Sequence, residues 1–333
     1  MNYQGVKEKI IRDAAKKNIA VVGEFELTAH CNLSCTMCFV KDERASNLST
    51  KAWKDLIQEA WNQGLLFCLF TGGEIFLRPD FQEIYEFTYD LGIRITLFTN
   101  GTLIDDNWIK IFQKRPPECI AITMYGSNPK MYERITKHKD AFHLVEAAIK
   151  RLQTAKLPFV IRTIAIKEIY LHLDEVLAYF KEHHFSVSYS LYVGPRRCSA
   201  NKSVERLTPI ELVDYDLRYR KAFQIRGATE FQPFSSGFNC VAGKSSFFVT
   251  HDGYFIPCAM LNEPRIKYTG FTETWTALSN KIKEVTLCRE YEDCPHKKSC
   301  MQCPARRYLE GGFEKCSPYL KEIAVQMEKK YDL

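Results

Sequence analysis

From about residue 24 to residue 193, short apolar runs alternate with amphipathic stretches of helical period. "EFELTA" (24–29), "LFCLFTGG" (66–73), "IRITLFTNG" (93–101), "CIAITMYG" (119–126), "PFVIRTIAI" (158–166) and "SVSYSLYV" (186–193) read as strands. "STKAWKDLIQEAWNQG" (49–64) reads as a helix capped by Ser49 and stopped by Gly64. Its apolar face is Trp53, Leu56, Ile57, Ala60 and Trp61. "DFQEIYEFTYDLG" (80–92) predicts a helix with Asp80 and Glu83 as a capping-box pair and Gly92 as the stop. Further helices are expected at 104–114, within 128–156 and near 172–183.

Six strand–helix alternations predict an α/β chain whose parallel strands form a doubly wound sheet or a barrel. In either, ligands meet the C-terminal strand ends. The polar and glycine-rich residues gather at those ends: Cys31 follows the first strand, "TGGE" closes the second, "FTNG" the third and "MYGSNP" the fourth. One rim, and one site, is the expectation.

The 333 residues suit one large α/β unit plus an appendage. Net charge is +6 over the whole length, too mild by itself to favour nucleic acid. No apolar run reaches the roughly 18 residues of a membrane span, and "MNYQGVKEKIIRDAAKK" lacks an apolar signal core. A cytoplasmic protein with neither a nucleic-acid nor a membrane partner is expected.

Thirteen cysteines change the picture. In a reducing compartment, clustered cysteines point to metal or catalysis. Cys31, Cys35 and Cys38 share one loop, and seven more lie between Cys240 and Cys316. Cys68 and Cys119 sit in apolar runs and read as small core residues. Three thiols on one loop fit two chemistries. One is a zinc site completed by His30 or a distant cysteine. The other is an iron–sulfur cubane with one iron open to a small ligand. The rim favours the second. Gly72 and Gly73 let backbone approach a ligand closely. Glu74 offers a carboxylate to an ammonium group, and a ligand with an amino-carboxylate end suits both features.

The Cys-x-x-x-Cys-x-x-Cys loop after strand one, with "TGGE" after strand two, resembles the radical S-adenosylmethionine (SAM) enzymes over about 24–193. That resemblance implies a partial (β/α)6 TIM-like barrel holding a 4Fe–4S cluster on Cys31, Cys35 and Cys38. SAM chelates the unique iron and is cleaved by one electron to methionine and a 5′-deoxyadenosyl radical. It further implies SAM contacts from Gly72, Gly73 and Glu74, from Met37 near the adenine, from Thr99 and Asn100, from Thr123 or Ser127 at the ribose, and from Arg162 at the carboxylate. Each has a plainer reading: core packing for Met37, an Asn-Gly turn for "LFTNGT", and a salt bridge for Arg162, whose charge is otherwise costly in an apolar strand.

Residues 195–235 read as a bridge. Thr208, Pro209 and Glu211 mark a helix start, and Arg196, Arg197, Arg206, Arg218, Arg220, Lys221 and Arg226 make it the most basic segment. This is either a solvated helix face or a groove for an acidic peptide. "CVAGKSSFFVTHDGYFIPC" then reads as a β-hairpin turning at Asp252-Gly253, and a short, loop-rich, metal-dependent tail is expected after it.

This part resembles the SPASM extension of radical SAM enzymes, which carries two auxiliary 4Fe–4S clusters. Cys240, Gly253 and Cys258, with twelve and four residues between them, match its first half; Cys294, Cys300, Cys303 and Cys316 match its second with one residue deleted. Tyr291 stands where a cysteine belongs, and Cys288 is the substitute. By the resemblance, Cys240, Cys258 and Cys303 hold auxiliary cluster I, its fourth position open or closed by Cys198. Cys288, Cys294, Cys300 and Cys316 hold cluster II. The expected units are a helical extension (1–23), the barrel (24–194), the bridge (195–235) and a small cysteine-rich SPASM domain with a hairpin and loops (236–333).

SPASM proteins mostly modify peptides. The resemblance therefore implies maturation of a ribosomally made peptide, by a thioether or carbon–carbon crosslink or by epimerisation, with a flavodoxin or ferredoxin as electron donor. Many such maturases carry an N-terminal leader-binding domain; here about 23 residues precede the first strand. Leader recognition is expected from a separate protein or from the basic bridge. Alternatives are a sulfatase maturase, disfavoured because Ala259 stands where that group has an aspartate base, and synthesis of a peptide-derived redox cofactor. Outside enzymes, a zinc-stabilised binding protein or an iron–sulfur electron carrier remains.

Overall fold

The computed structural model describes residues 2–40, 46–194, 205–225, 240–285, 293–300 and 303–331. Six parallel strands form its centre: β1 (Val22–Thr28), β2 (Phe67–Gly72), β3 (Arg94–Thr99), β4 (Cys119–Thr123), β5 (Phe159–Ile164) and β6 (Val187–Ser190). Each pairs with the strand before it, so the order runs 6-5-4-3-2-1 without reversal. Right-handed crossovers in a sheet that never reverses place every helix on the same face. The result is an open, partial (β/α)6 barrel, not the doubly wound alternative.

The helices are α1 (Tyr3–Lys17), α2 (Thr50–Asn62), α3 (Phe81–Asp90), α4 (Asp106–Lys114), α5 (Pro129–Thr136), α6 (Ala141–Thr154), α7 (Lys167–Leu171) and α8 (Leu173–Glu182). The helix expected near 172–183 is α8, and the short α7 precedes it. Phe25 on β1 shows how the outer face packs: its ring lies 6.0 Å from Trp53 of α2 and 6.0 Å from Phe70 of β2. Period-2 alternation then turns Glu24, Glu26 and Thr28 to the inner face.

Ser49 caps α2 as its sequence predicts, accepting from Ala52 N at 3.2 Å. Two expectations fail. Trp61 is 43% exposed and leaves the packed face to Trp53, Leu56, Ile57 and Ala60. Asp80 makes no capping bond to α3. Its carboxylate is taken by Arg78 Nε (2.9 Å) and Arg78 Nη2 (2.6 Å), and by Thr50 Oγ1 (2.6 Å). Arg78 in turn donates to the carbonyls of Leu27 and Leu48. A buried guanidinium outcompeted the backbone for Asp80.

The later segments are more integrated and more helical than a loop-rich tail. β7 (Ser246–Val249) pairs parallel with β1, and β8 (Tyr254–Ile256) and β9 (Ile266–Lys267) follow antiparallel, giving one nine-stranded sheet. The hairpin turns where expected, with Gly253 at φ +84°. Helices α9 (Pro209–Ala222), α10 (Phe271–Lys283), α11 (Pro304–Gly311) and α12 (Pro318–Tyr331) are the later helices among the described residues. The capping box of Thr208 and Glu211 on α9 is present. No helix among the described residues is long and apolar enough to cross a membrane.

Candidate functional site

The loop bearing Cys31, Cys35 and Cys38 springs from the C-terminal end of β1. It is pinned from below by the end of α5: Ser34 N donates to Thr136 O at 2.9 Å and Thr36 N to Ile135 O at 3.0 Å. Cys31 Sγ accepts from Leu33 N at 3.4 Å and Cys38 N donates to Cys35 O at 3.1 Å, which folds the loop on itself.

Burial comes first in pushing the Cys31 thiol up to about 11, and the charges of Glu74 and Cys38 add to it. Burial also pushes Cys35 up to about 12, with Cys38 and Cys31 adding. The three sulfurs therefore feel one another in an apolar setting. Among the described residues no three ligating side chains converge on one point as single-ion ligands do. A buried neutral thiol is inert, and a metal that binds it takes it as the thiolate. Three such thiols facing one another on a pinned loop fit a multi-iron cluster.

Gly73 and Gly72 lie hard against that loop. A Cβ on Gly73 would stand 2.1 Å from His30 O, and one on Gly72 2.3 Å from Thr28 O. Gly73 N donates to Thr28 O (2.7 Å) and Glu74 N to His30 O (2.8 Å). The glycines thus serve a close backbone approach of β2 to β1.

Glu74 is fully buried and turns to β3. Oε1 accepts from Thr99 Oγ1 (2.8 Å) and Phe76 N (3.2 Å), and Oε2 from Asn100 N (2.8 Å). Burial pushes its carboxyl up to about 7, and those bonds partly offset the shift. The geometry found for Glu74 is a brace between two strand ends, leaving the β2 edge to face a ligand.

Asn100 joins this brace to the cysteines. Its Nδ2 donates to Asn32 Oδ1 at 2.9 Å and to Cys31 Sγ at 3.7 Å; its Oδ1 accepts from Thr102 N at 2.9 Å and Thr102 Oγ1 at 2.6 Å. Asn32 Nδ2 donates to Thr102 Oγ1 at 2.8 Å. Tyr125, just past β4, lies close enough to Cys35 for the two side chains to act on one another.

Arg162 lies on the inner face of β5, its guanidinium carbon 3.9 Å from the centre of the Phe98 ring. The titratable neighbours that act on it are Tyr125 and Glu24. Glu24 shares the interior, and burial pushes it up to about 7, Arg162 pulling the other way. Met37 is buried in the core. Thr123 and Ser127 are half-buried, and Thr123 O accepts from Tyr132 OH.

A second thiol set forms beside β1. Burial pushes Cys258 up to about 12, with Cys303 and Glu24 adding. Cys240 is exposed by its surface area, yet loss of solvation at its sulfur is first among the causes raising its pKa, and Cys303 adds to it. Cys303 is therefore near enough to Cys240 and to Cys258 to act on both. Cys294, Cys300 and Cys316 are half-buried. Cys288, Cys198, Tyr291, Arg196, Arg197 and Arg226 lie outside the described residues. Cys68 is buried on β2 and Cys119 half-buried on β4.

The sequence reading missed Asn32, Thr102, Tyr125 and Glu24, and a buried pair: Glu26 of β1 bonds His251 Nδ1 at 2.6 Å, with Glu26 1% and His251 17% exposed at the side chain. The signals were present. Asn32 follows Cys31 directly, and the charged residues of β1 stand in an apolar strand. "HDGY" was read only as a turn.

A family model described as the Radical SAM superfamily matches residues 25–180. The AdoMet-dependent heme synthase of Methanosarcina barkeri is 25% identical over 325 residues, covering 86% of this chain and 92% of that protein. The PqqA peptide cyclase of Gluconobacter oxydans is 24% identical over 248 residues, covering 70% and 68%. Among solved structures, anSMEcpe with bound AdoMet matches with a TM-score of 0.72 at 19% identity, over 94% of this chain and 97% of that one. The same protein has been solved with AdoMet and a Kp18Cys peptide bound. With the pinned three-thiol loop and the double-glycine approach beside it, the match places a radical SAM domain over residues 25–180 of this chain.

Proposed function

We propose that this chain is a peptide-modifying radical SAM maturase with a SPASM extension over about 236–333. The observation that carries this reading is the second thiol set, in which Cys303 is near enough to both Cys240 and Cys258 to act on them. The PqqA peptide cyclase and the peptide-bound anSMEcpe structure support a peptide as the substrate class.

A radical SAM domain implies a 4Fe–4S cluster and SAM. When bound, they supply a 5′-deoxyadenosyl radical that takes a hydrogen atom from substrate. The chain's own residues do the rest. Cys31, Cys35 and Cys38 hold the cluster. The β2 edge at Gly72 and Gly73, braced by Glu74, Thr99 and Asn100, receives the SAM amine. Arg162 takes its carboxylate, Met37 lies by the adenine, and Thr123 or Ser127 meets the ribose. Auxiliary cluster I falls to Cys240, Cys258 and Cys303, and cluster II to Cys288, Cys294, Cys300 and Cys316. A flavodoxin or ferredoxin donates the electron, and a separate protein presents any leader peptide. The barrel (24–194) carries the radical chemistry in the cytoplasm, with the extension 1–23 and the bridge 195–235 at its ends.

A second reading has its own support. The heme synthase match covers more of the chain than the cyclase match does, which favours a tetrapyrrole substrate. Mass spectrometry after co-expression with short peptides encoded beside the gene separates the two. A peptide lighter by about two hydrogens, or inverted in stereochemistry at unchanged mass, supports the peptide reading. Turnover of an iron-porphyrin probe with no change in any peptide decides against it.

A further inference from the structure

We propose that the exposed face of α5, with the turn after it, docks an acidic electron-carrier protein, and that Lys130, Lys137 and Lys139 are its charged contacts. The proposal deepens the function given above and rests on it: Cys31, Cys35 and Cys38 hold the iron–sulfur centre, and that centre needs one electron from outside. The carrier's reduced flavin supplies it, the anionic hydroquinone becoming the neutral semiquinone, and no bond or proton moves.

The face lies directly on the cysteine loop. Ser34 N donates to Thr136 O at 2.9 Å and Thr36 N to Ile135 O at 3.0 Å, so the last turn of α5 grips the loop on both sides of Cys35. Lys137 follows Thr136 in the chain and is exposed. Phe39, directly after Cys38, is 39% exposed, so the loop itself reaches the surface. A carrier seated here is separated from the Cys35 backbone by one hydrogen bond and a residue or two.

The face is also cationic along its whole length. Lys130, Glu133, Arg134 and Lys137 line an open groove of about 510 Å³, and Lys139 is exposed just beyond it. Residues 130, 134 and 137 have the spacing of one helix face. Arg134 is engaged by Glu168, its Nε donating to Oε1 at 2.7 Å. Lys130, Lys137 and Lys139 form no ion pair among the described residues. The opposing charges nearby are Glu133 and Asp140. The helix dipole accounts for cations at the C-terminal end, but not for Lys130 in the first turn, which has no acidic residue to offset it. Every residue lining the groove is charged, so it lacks the apolar centre of a lasting interface. It suits a brief encounter steered by charge, which is what an electron carrier requires.

The test uses the iron-loaded protein with an acidic flavodoxin as the probe. Two quantities are read: the dissociation constant of oxidised flavodoxin by calorimetry, and the second-order rate at which reduced flavodoxin reduces the iron–sulfur centre, by stopped-flow absorbance. For the native chain the rate is expected to fall steeply as salt rises. In the Lys130→Glu, Lys137→Glu, Lys139→Glu variant the rate falls by about tenfold or more and the dissociation constant rises. Formation of 5′-deoxyadenosine with dithionite, which needs no docking, stays unchanged in that variant. Lys9→Glu, Arg12→Glu, Lys17→Glu on α1 is the control of equal charge. α1 lies at the opposite ends of the strands, where Lys7 pairs with Glu118 ahead of β4 and Arg94 of β3 stands over the Tyr3 ring. A native rate indifferent to salt, an α5 variant reduced as fast as the native chain, or an equal loss in the α1 control overturns the proposal. A native chain that forms no 5′-deoxyadenosine with dithionite overturns the radical reading instead, and the flavodoxin binding of the two variants still decides the face.

Discussion

Gly73 lies where β2 crosses nearest to the cysteine loop. A methyl group there meets a backbone carbonyl, His30 O, at 2.1 Å, and no side chain can rotate away to relieve it. Gly73→Ala is expected to destabilise by roughly 3 kcal/mol and to deplete the iron held by Cys31, Cys35 and Cys38. Gly92→Ala serves as the contrast. Its φ of +80° is strained for alanine but nothing lies within 4 Å, so about 1 kcal/mol is expected and iron content stays unchanged. Iron quantification with thermal unfolding of both variants checks the pair. The thiols give a second prediction at this scale. Cys31 and Cys35, at about 11 and 12, are protonated near neutral pH, and binding must displace those protons. Iron loading of the metal-free chain therefore releases acid in weakly buffered solution, and the apparent affinity rises with pH between about 6 and 8, by up to about tenfold per unit for each proton displaced. Loading that releases no protons contradicts the burial argument.

Asp216 on α9 ties three elements together. It accepts from Tyr189 of β6 and Tyr331 of α12 and pairs with Arg220 at 2.9 Å, all with the carboxylate 2% exposed. Asp216→Ala leaves a guanidinium and two hydroxyls without their shared acceptor, and a loss of about 3 kcal/mol is expected by thermal unfolding. Much of the element structure was legible beforehand. Each strand carried its own apolar run and each helix its own periodic face, so local pattern and final fold agreed. The failures have physical causes. Asp80 and Glu83 have the spacing of a capping box, but Arg78, two residues before Asp80, and Thr50 of α2 claimed the carboxylate. Trp61 has helical spacing with Trp53 but lies past the edge of the packed stripe. β7 pairs parallel with β1 across more than two hundred residues of chain, and no local pattern encodes such a pairing. The cysteine spacing carries no sign of the helices α10 and α12, although α12 starts at Pro318 and carries Leu320, Ile323, Ala324 and Met327 on its buried side.

At the scale of the whole molecule, one open barrel carries two thiol sets. The first comes from the loop after β1, and the second from the flanks of the hairpin strands that extend the sheet beyond β1 and from the start of α11. Glu24 and Glu26 lie on the inner face of that shared strand, and Glu24 acts on both Arg162 and Cys258. The clustering of Cys31, Cys35 and Cys38 on one loop was legible in the sequence, and the rim residues around "TGGE" gave it a chemistry. The site's supporting residues were not legible, because Asn32, Tyr125 and His251 acquire meaning only when distant segments meet. With three cubane sites filled, the chain holds about twelve irons, counting four to a site, and total iron near four would leave only one such site. The central claim is that Cys31, Cys35 and Cys38 carry the radical chemistry. The most direct measurement is chromatographic detection of 5′-deoxyadenosine from anaerobically reconstituted protein given SAM and a strong reductant, beside the Cys31→Ala, Cys35→Ala, Cys38→Ala triple variant. The account predicts 5′-deoxyadenosine from the native chain and none from the variant, while the variant keeps its auxiliary iron. Equal yields from the two, or a native chain that binds zinc alone and forms no 5′-deoxyadenosine, would contradict it.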